Sequence, residues 1–158
     1  MKSLNISQRL GKILVKKSMT LAVAESCTGG MVGGVITAVP GSSRYFAGGV
    51  IAYDDRIKRR VLKVPRSLLR RHGAVSGQTV IAMARGVKRL FKTDCAIAVS
   101  GVAGPGGGTK EKPVGLVVIA GAVKNIVRVF EIRIKGNREQ VRRKTVEESL
   151  KLLIGLME

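Results

Sequence analysis

Residues 21–36 combine a short apolar run, a turn of small residues and a second apolar segment, which is typical of the strand-to-helix units of α/β proteins. The run Leu21-Ala22-Val23 predicts a strand, and residues 31–36 are compatible with a helix. Ser26 would then lie at the carboxyl end of a strand, where open α/β sheets form ligand crevices. The glycines of the turn let a ligand approach the backbone, and free N–H groups at a helix start attract anions. The same pattern also fits an ordinary turn in which Ser or Thr caps the helix.

The chain of 158 residues is long enough for a substantial core, and we expect residues 1–158 to form a single domain. Hydrophobic residues make up 45% of it but aromatic residues only 3%, so the core must consist of Val, Ile, Leu and Ala, as in buried parallel strands. No apolar run approaches the roughly 20 residues that span a bilayer, and no signal-peptide pattern precedes the first predicted helix. We therefore expect a cytoplasmic protein without a membrane partner.

Lysine and arginine outnumber aspartate and glutamate by 29 to 10, which gives a formal net charge of +19. Such a charge favours nucleic acid, acidic membranes or small phosphorylated ligands as partners. The basic residues are nevertheless scattered along the chain, and the aromatic side chains that stack on single-stranded bases are missing. The pattern favours a solvated basic surface over a dedicated nucleic-acid site. The basic clusters are residues 9–17, 56–63, 66–71 and 138–144.

The chain has two cysteines, Cys27 and Cys95, and one histidine, His72. A zinc site built from Cys and His needs three or four such ligands and is nearly excluded, and a Ser-His-Asp triad would depend on His72 alone. Cys95 lies in an apolar run and is predicted to belong to the core. Cys27 is an alternative nucleophile because a thiol near a helix start can become reactive, but no imidazole partner is near it in the sequence.

Apolar periodicity predicts alternating helices and strands, followed by a late hairpin at Lys124-Asn125. This order indicates an α/β fold, a three-layer α/β/α sandwich with a mixed sheet. The predicted helices are residues 4–15, 28–39, 57–62, 65–71, 77–91 and 138–156. The predicted strands are residues 21–24, 48–53, 95–100, 114–123 and 126–134.

A glycine-rich loop, residues 101–109, follows the predicted strand that ends at Ser100. The loop lacks the Gly-Lys-Ser/Thr of a P-loop and does not match the dinucleotide fingerprint, so by itself it is weak evidence for phosphate binding. Its glycines nevertheless suggest that the backbone closely approaches another group. Because this loop and Ser26 both follow strands, we expect the two to lie at the same edge of the sheet.

Six short motifs occur in the same order as in one known family. Together they resemble the CinA C-terminal domain family, also called PncC-like nicotinamide-nucleotide amidases, over about residues 5–155. The resemblance implies a three-layer sandwich with a five-stranded mixed sheet, and we expect the chain to be of the free-standing kind rather than part of a longer CinA protein. The motifs are residues 24–30, 40–43, Tyr53 with Lys58, residues 72–76, 100–107 and 112–115.

The family resemblance implies hydrolysis of the amide of nicotinamide mononucleotide to nicotinate mononucleotide and ammonia, without a metal or other cofactor. It also implies that Ser26 is the nucleophile, Lys58 the general base and Tyr53 an assisting hydroxyl. A lysine can serve as a base when its amine is uncharged, which burial and neighbouring cations promote, here the arginines of residues 56–60. Without that environment, Lys58 would be an ordinary solvated charge on a helix.

Residues of the first turn, the glycine-rich loop and the start of the last helix are predicted to bind the substrate. The N–H groups of residues 27–30 are candidates for holding the tetrahedral oxyanion. Arg138 or Arg142 and the loop of residues 104–108 are candidates for holding the phosphate. Glu25 is favoured as a structural anchor of the turn, and Thr28 either binds substrate or caps the helix. The predicted substrate-binding set is Glu25, Cys27, Thr28, Gly29, Gly30, Ser100, Gly101, Gly104, Arg138 and Arg142.

The sequence leaves other functions open. The chain could be a non-catalytic module that binds nucleotide or DNA, as a competence/damage-inducible protein, and the +19 charge favours this alternative. It could also be an interaction domain for a larger partner, such as a separate N-terminal CinA half. Asn137 stands where the family usually has Asp, which leaves the role of residues 136–142 open. A homo-oligomer is a further expectation, because the apolar C-terminal half could leave a sheet edge for a second subunit.

Overall fold

The computed structural model describes residues 2–158, and its strands form a five-stranded mixed sheet. The strands are β1 Leu21–Glu25, β2 Phe46–Ile51, β3 Cys95–Gly101, β4 Leu116–Val123 and β5 Ile126–Arg133. Their order in the sheet is β2-β1-β3-β4-β5. β2, β1 and β3 run parallel, whereas β4 pairs antiparallel with both β3 and β5. The predicted mixed sheet is thereby confirmed.

Helices cover both faces of this sheet, as the predicted three-layer sandwich requires. They are α1 Lys2–Lys16, α2 Met31–Thr37, α3 Asp55–Arg60, α4 Arg66–His72, α5 Gly77–Phe91 and α6 Arg138–Met157, with a short 3-10 helix at Ser42–Arg44. α1, α2 and α6 pack on one face, where Leu14 and Leu153 are fully buried. α5 packs on the other face, where Met83 meets alanines such as Ala98.

The alternating sequence of β1 and β3 explains how two cores share one sheet. Both strands are buried on both faces, as expected for inner parallel strands. Because successive side chains point to opposite faces, Val23 and Ile97 enter the core beneath α1, α2 and α6. Ala24 and Ala98 face α5. The alanine face therefore leaves room for a closely packed helix.

The carboxyl ends of the three parallel strands meet at one edge of the sheet. Glu25 at the end of β1 is paired with Ile51 on one side and Val99 on the other. The ladder continues past the strand, since the Ser26 N–H donates to the Val99 carbonyl at 3.0 Å and the Ala52 N–H to the Glu25 carbonyl at 2.7 Å. The segments that leave this edge carry the candidate site.

Several element bounds differ from the sequence-based expectation: α3 covers Asp55–Arg60 rather than residues 57–62, and β4 begins at Leu116 rather than at residue 114. Two further differences lie at the candidate site. The helix expected over 28–39 begins at Met31, because Gly29 and Gly30 have φ angles of +58° and +101°, which a right-handed helix cannot include. The strand expected over 48–53 ends at Ile51. Asp54 already accepts a hydrogen bond from the Arg56 N–H at 2.7 Å as the N-cap of α3, so the chain turns away from the sheet before it reaches that residue.

Candidate active site

A cavity of about 280 Å³ lies at this edge of the sheet. It is lined by the turn after β1, the connection after β2, α3, the end of β3 with the glycine-rich loop, and the start of α6. The glycine-rich loop and Ser26 thus share one edge, as expected. The sequence-predicted residues that line the cavity are Ser26, Cys27, Tyr53, Lys58, Ser100, Gly101, Gly104 and Arg138.

The Ser26 hydroxyl is available to a ligand. The residue is partly exposed, and its backbone is fixed by the bond to the Val99 carbonyl and by the Gly29 N–H, which donates to the Ser26 carbonyl at 3.1 Å. Within residues 2–158 no group makes a hydrogen bond to the Ser26 side chain. This includes Lys58, whose amine lines the same cavity without a direct hydrogen bond to Ser26.

Lys58 is buried to an extent that is unusual for a lysine, since only 1% of its side chain is exposed. Its Nζ donates to the Tyr53 carbonyl at 3.3 Å and forms an ion pair with the Asp55 carboxylate at 3.1 Å. The sequence predicted a cationic neighbourhood. In the structure Arg56 is exposed and paired with Asp54, and the ion partner of Lys58 is acidic.

Arg138 links Tyr53 to the glycine-rich loop. Its Nη2 donates to the Tyr53 hydroxyl at 3.0 Å and its Nη1 to the Gly104 carbonyl at 2.9 Å. Arg138 is the first residue of α6, and Asn137 caps that helix by accepting from the Gln140 N–H at 3.0 Å. The Gln140 side chain accepts from the Asn137 N–H in return, at 2.8 Å. Asn137 therefore performs the capping that an Asp at this position would perform.

Glu25, predicted among the substrate-binding residues, has both carboxylate oxygens occupied by the chain itself. Only 2% of the residue is exposed. Its Oε2 accepts from the Thr28 hydroxyl at 2.6 Å and from the N–H groups of Gly30 and Val32 at 2.9 and 3.0 Å, and its Oε1 accepts from the Gly33 N–H at 2.8 Å. Glu25 thus anchors the turn and the first N–H groups of α2, and the buried Thr28 hydroxyl is directed to Glu25 rather than to the cavity.

Arg142, predicted as a candidate phosphate ligand, holds the same turn from the other side. Its Nε donates to the Cys27 carbonyl at 3.1 Å and its Nη2 to the Thr28 carbonyl at 2.9 Å. It is not among the residues that line the cavity, unlike Arg138. The structure therefore assigns the two arginines different positions, one at the cavity and one behind the Ser26 turn.

The turn retains two N–H groups without an acceptor in residues 2–158, and of their residues only Cys27 lines the cavity, where its N–H could hold an oxyanion. The Gly29 N–H is bonded to the Ser26 carbonyl and the Gly30 N–H to Glu25, which removes both from the predicted set. Neither glycine lines the cavity. Across the described part of the chain, the N–H groups of Cys27 and Thr28 meet no backbone or side-chain oxygen acceptor.

The two thiols are poorly suited to nucleophilic attack near neutral pH. Burial raises the pKa of the Cys27 thiol to about 11, against an ordinary value of 9.0. Burial also raises the pKa of Cys95 to about 11, and Cys95 lies in the core as predicted. Because the thiolate is the reactive form, burial weakens the case for Cys27 as the nucleophile.

Several lining residues were not predicted as site residues. Ala74 and Val75 belong to the loop between α4 and α5, and the motif at residues 72–76 was a signal for them. Asp55 stands three residues before Lys58 at the start of a helix, and this i,i+3 spacing could have indicated the ion pair. Val102 and Ala103 of the glycine-rich loop also line the cavity without having been predicted, whereas Gly106 and Gly107 belong to the candidate phosphate-binding residues 104–108.

The described residues contain neither a cluster of metal ligands nor a helix that could span a membrane. Between residues 2 and 158, no three His, Cys, Asp or Glu side chains cluster in a way that could hold a metal ion. None of the helices in this range is both long and apolar enough to cross a lipid bilayer.

Most of the chain is similar in sequence to known proteins. A family model described as the CinA C-terminal domain matches residues 3–157. A protein of Desulforudis audaxviator, named for competence-damage induction, is 51% identical over 144 residues, which cover 91% of this chain and 35% of that protein. A CinA-like protein of Desulfotalea psychrophila is 48% identical over 148 residues, which cover 94% of this chain and 36% of that protein. The chain thus spans about a third of the length of these relatives.

Solved structures match over nearly the entire chain. The competence/damage inducible protein CihA from Agrobacterium tumefaciens has a TM-score of 0.97 and 37% identity, covering 100% of this chain and 97% of that one. A competence or damage-inducible protein from Enterobacter asburiae has a TM-score of 0.95 and 30% identity, covering 99% of this chain and 98% of that one. The fold and the five-stranded sheet are therefore shared with these proteins.

Proposed function

The chain belongs to the CinA C-terminal domain family, and we propose that it is an amidohydrolase that converts nicotinamide mononucleotide to nicotinate mononucleotide and ammonia. The observation that carries the proposal is the burial of Lys58 in the cavity that also holds the Ser26 hydroxyl. Burying a lysine amine costs free energy, so a buried lysine that shares a cavity with an unpartnered serine hydroxyl fits a Ser/Lys catalytic pair. The raised pKa of Cys27 supports oxygen rather than sulfur as the nucleophile.

In the first step of the proposed reaction, Lys58 loses to solvent the ammonium proton of its ion pair with Asp55. The Ser26 Oγ then attacks the carboxamide carbon of the substrate while the hydroxyl proton passes to the uncharged Lys58 amine. The carbonyl π electrons move onto oxygen, and the resulting oxyanion accepts a hydrogen bond from the free N–H group of Cys27. The transferred proton leaves Lys58 as an ammonium, the form that the Asp55 carboxylate at 3.1 Å stabilises.

In the proposed second step, the oxyanion reforms the carbonyl and the C–N bond breaks. The Lys58 ammonium donates a proton to the departing nitrogen, which leaves as ammonia, with the Tyr53 hydroxyl as an assisting donor. Water then attacks the acyl ester on Ser26 and gives its proton to Lys58. The tetrahedral intermediate then collapses, the bond to the Ser26 Oγ breaks, and this oxygen takes the proton back from Lys58. The acid product loses its proton to solvent and leaves as the carboxylate.

The phosphate of the substrate would be held by Arg138 and the glycine-rich loop. Arg138 lines the cavity and carries donors beyond the two that it uses with Tyr53 and Gly104. In the described structure the N–H groups of Gly106 and Gly107 contact no acceptor, and both residues line the cavity. A guanidinium and free backbone N–H groups are a chemically suitable set of donors for a phosphate.

The test is ammonia release from nicotinamide mononucleotide by the purified protein and two matched variants. We expect Ser26→Ala to lower turnover roughly 10³-fold or more, and Cys27→Ala to retain most of it. Circular dichroism of each variant checks that the fold is intact. Absence of ammonia release by the folded parent protein contradicts the proposed activity. Loss of turnover in Cys27→Ala together with an active Ser26→Ala would assign the nucleophile to sulfur.

A further inference from the structure

The positive charge of the chain is concentrated in a segment without any acidic residue. Residues 56–93 contain twelve lysines and arginines and no aspartate or glutamate. Seven of these cations are exposed on α3, on α4 and in the connection between them. Arg56 is paired with Asp54, and we call the other six the α3–α4 basic surface. Its members are Arg59, Arg60, Lys63, Arg66, Arg70 and Arg71.

No ion pair neutralises this surface within residues 2–158. The cations of α6 provide a contrast within the same molecule. There Arg143 pairs with Glu139 at 2.6 Å, and Lys144 and Lys151 pair with Glu148 at 3.0 and 2.9 Å. Like charges on one surface repel each other and disfavour the compact state. An anionic partner would relieve this repulsion.

α4 presents part of this surface in an open groove of about 740 Å³. The helix buries none of its residues completely, so it is displayed on the outside of the fold. The groove combines cationic groups with a hydroxyl and two apolar residues. Its lining is Pro65, Ser67, Leu68, Arg70, Arg71 and His72.

We propose that the α3–α4 basic surface binds the phosphate backbone of a nucleic-acid duplex without sequence preference. Five of its six cations are arginines, whose planar guanidinium binds phosphate in a bidentate manner. Residues 56–90 contain no Phe, Tyr or Trp, so a single-strand binder's platform of stacking rings is missing. None of the large exposed hydrophobic residues lies in the described segment 59–71, so the surface also lacks the apolar anchors of a membrane-bound helix.

The surface is separate from the candidate active site. None of its six residues lines the cavity that holds Ser26 and Lys58. Duplex binding and ammonia release can therefore be measured independently, and failure of one leaves the other unaffected.

The experiment measures fluorescence anisotropy of a labelled random-sequence DNA duplex with the full chain over a series of salt concentrations. The test variant is R66Q/R70Q/R71Q. The matched control is R128Q/R133Q/K135Q, which removes the same charge from exposed cations on β5 and just beyond it. We expect the slope of log K against log salt to become shallower by roughly 2 to 3 in the test variant, since each lost phosphate contact lowers it by about 0.9. The control should change the slope by less than half as much.

Three results would overturn the proposal. An equally large decrease in the salt dependence of log K in both variants would indicate attraction by the net charge of the whole protein. An unchanged slope in R66Q/R70Q/R71Q would place the contacts elsewhere. Tighter binding to the single strand, or to vesicles of phosphatidylserine and phosphatidylcholine than to the duplex, would assign the surface to another partner.

Discussion

The Nζ atom of Lys58 lies 3.1 Å from the Oδ1 atom of Asp55, three residues earlier on α3. The Lys58 side chain is 1% exposed and the Asp55 side chain 56%, so the lysine is shielded from solvent and the aspartate is exposed to it. The second partner of the amine is the Tyr53 carbonyl at 3.3 Å. These contacts come from residues 53–55 of the same segment, and no hydrogen bond from the Ser26 turn competes for the amine in the described structure.

Replacing Lys58 by methionine is expected to lower ammonia release roughly 10²–10⁴-fold, because the variant keeps much of the buried side-chain volume but has no group to accept the Ser26 proton. Steady-state kinetics with nicotinamide mononucleotide measure the effect. Lys63→Met is the matched control, since Lys63 is exposed and outside the cavity. Near-parental turnover in a folded Lys58→Met protein would reject the base assignment.

Glu25→Gln is expected to lower the free energy of unfolding by roughly 2–4 kcal/mol, because the amide replaces a buried carboxylate oxygen by a donor that faces N–H donors. Urea denaturation followed by circular dichroism measures the change. Glu131→Gln, on the exposed side of β5, serves as the control and should change stability very little. Equal stability of the two variants would show that the four contacts of Glu25 contribute nothing.

Arg138→Ala is expected to raise the KM for nicotinamide mononucleotide about tenfold or more and to change kcat less. The substitution removes a hydrogen-bond donor to the phosphate and also the guanidinium that bridges the Tyr53 hydroxyl and the Gly104 carbonyl. Arg143→Ala is the matched control, since Arg143 is exposed and paired only with Glu139 among residues 2–158. A fall in kcat at unchanged KM would instead assign Arg138 to the chemical step.

Asp94 is expected to make the free energy of unfolding depend on pH in the acid range. The Thr20 N–H and hydroxyl donate to its carboxylate at 2.9 and 3.0 Å, and the backbone hydrogen bond is the main cause that holds its pKa below the ordinary 3.8. A pKa that is lower in the folded protein adds stability above pH 3.8, and this contribution is lost as the pH falls through the folded value. The difference in unfolding free energy between the parent protein and Asp94→Asn should therefore narrow below that pH. Urea titrations at a series of pH values check this, and a constant difference would contradict it.

The sequence predicted the sheet and the position of Ser26 because both depend on local patterns. Short apolar runs mark β1 and β3, and in a parallel pair a residue that follows one strand must lie near the end of the other. The predicted starts of α5 at residue 77 and of α6 at residue 138 agree with the structure, because the residues before them, Ser76 and Asn137, are of types that cap helices.

Contacts across long stretches of the chain could not be predicted in this way. The Arg142 bond to the Cys27 carbonyl joins residues 115 positions apart, and it depends on how α6 docks against the sheet. The burial of Lys58 depends on which side of α3 faces the protein, and a helix of six residues has too little periodicity to reveal it. Glu25 accepts four hydrogen bonds because the chain reverses at Gly29 and Gly30, whose φ angles are positive. This reversal places the N–H groups at the start of α2 near the end of β1.

Both arginines of the candidate site come from α6, the last helix of the chain, whereas Ser26 and Lys58 come from its first half. During synthesis, a chain that has left the ribosome only as far as the glycine-rich loop would carry the proposed nucleophile and base without either guanidinium. The Ser26 turn would gain its Arg142 brace only when the final helix had emerged and docked. Enzymatic turnover would then first appear only after α6 had docked, which is the last step of folding.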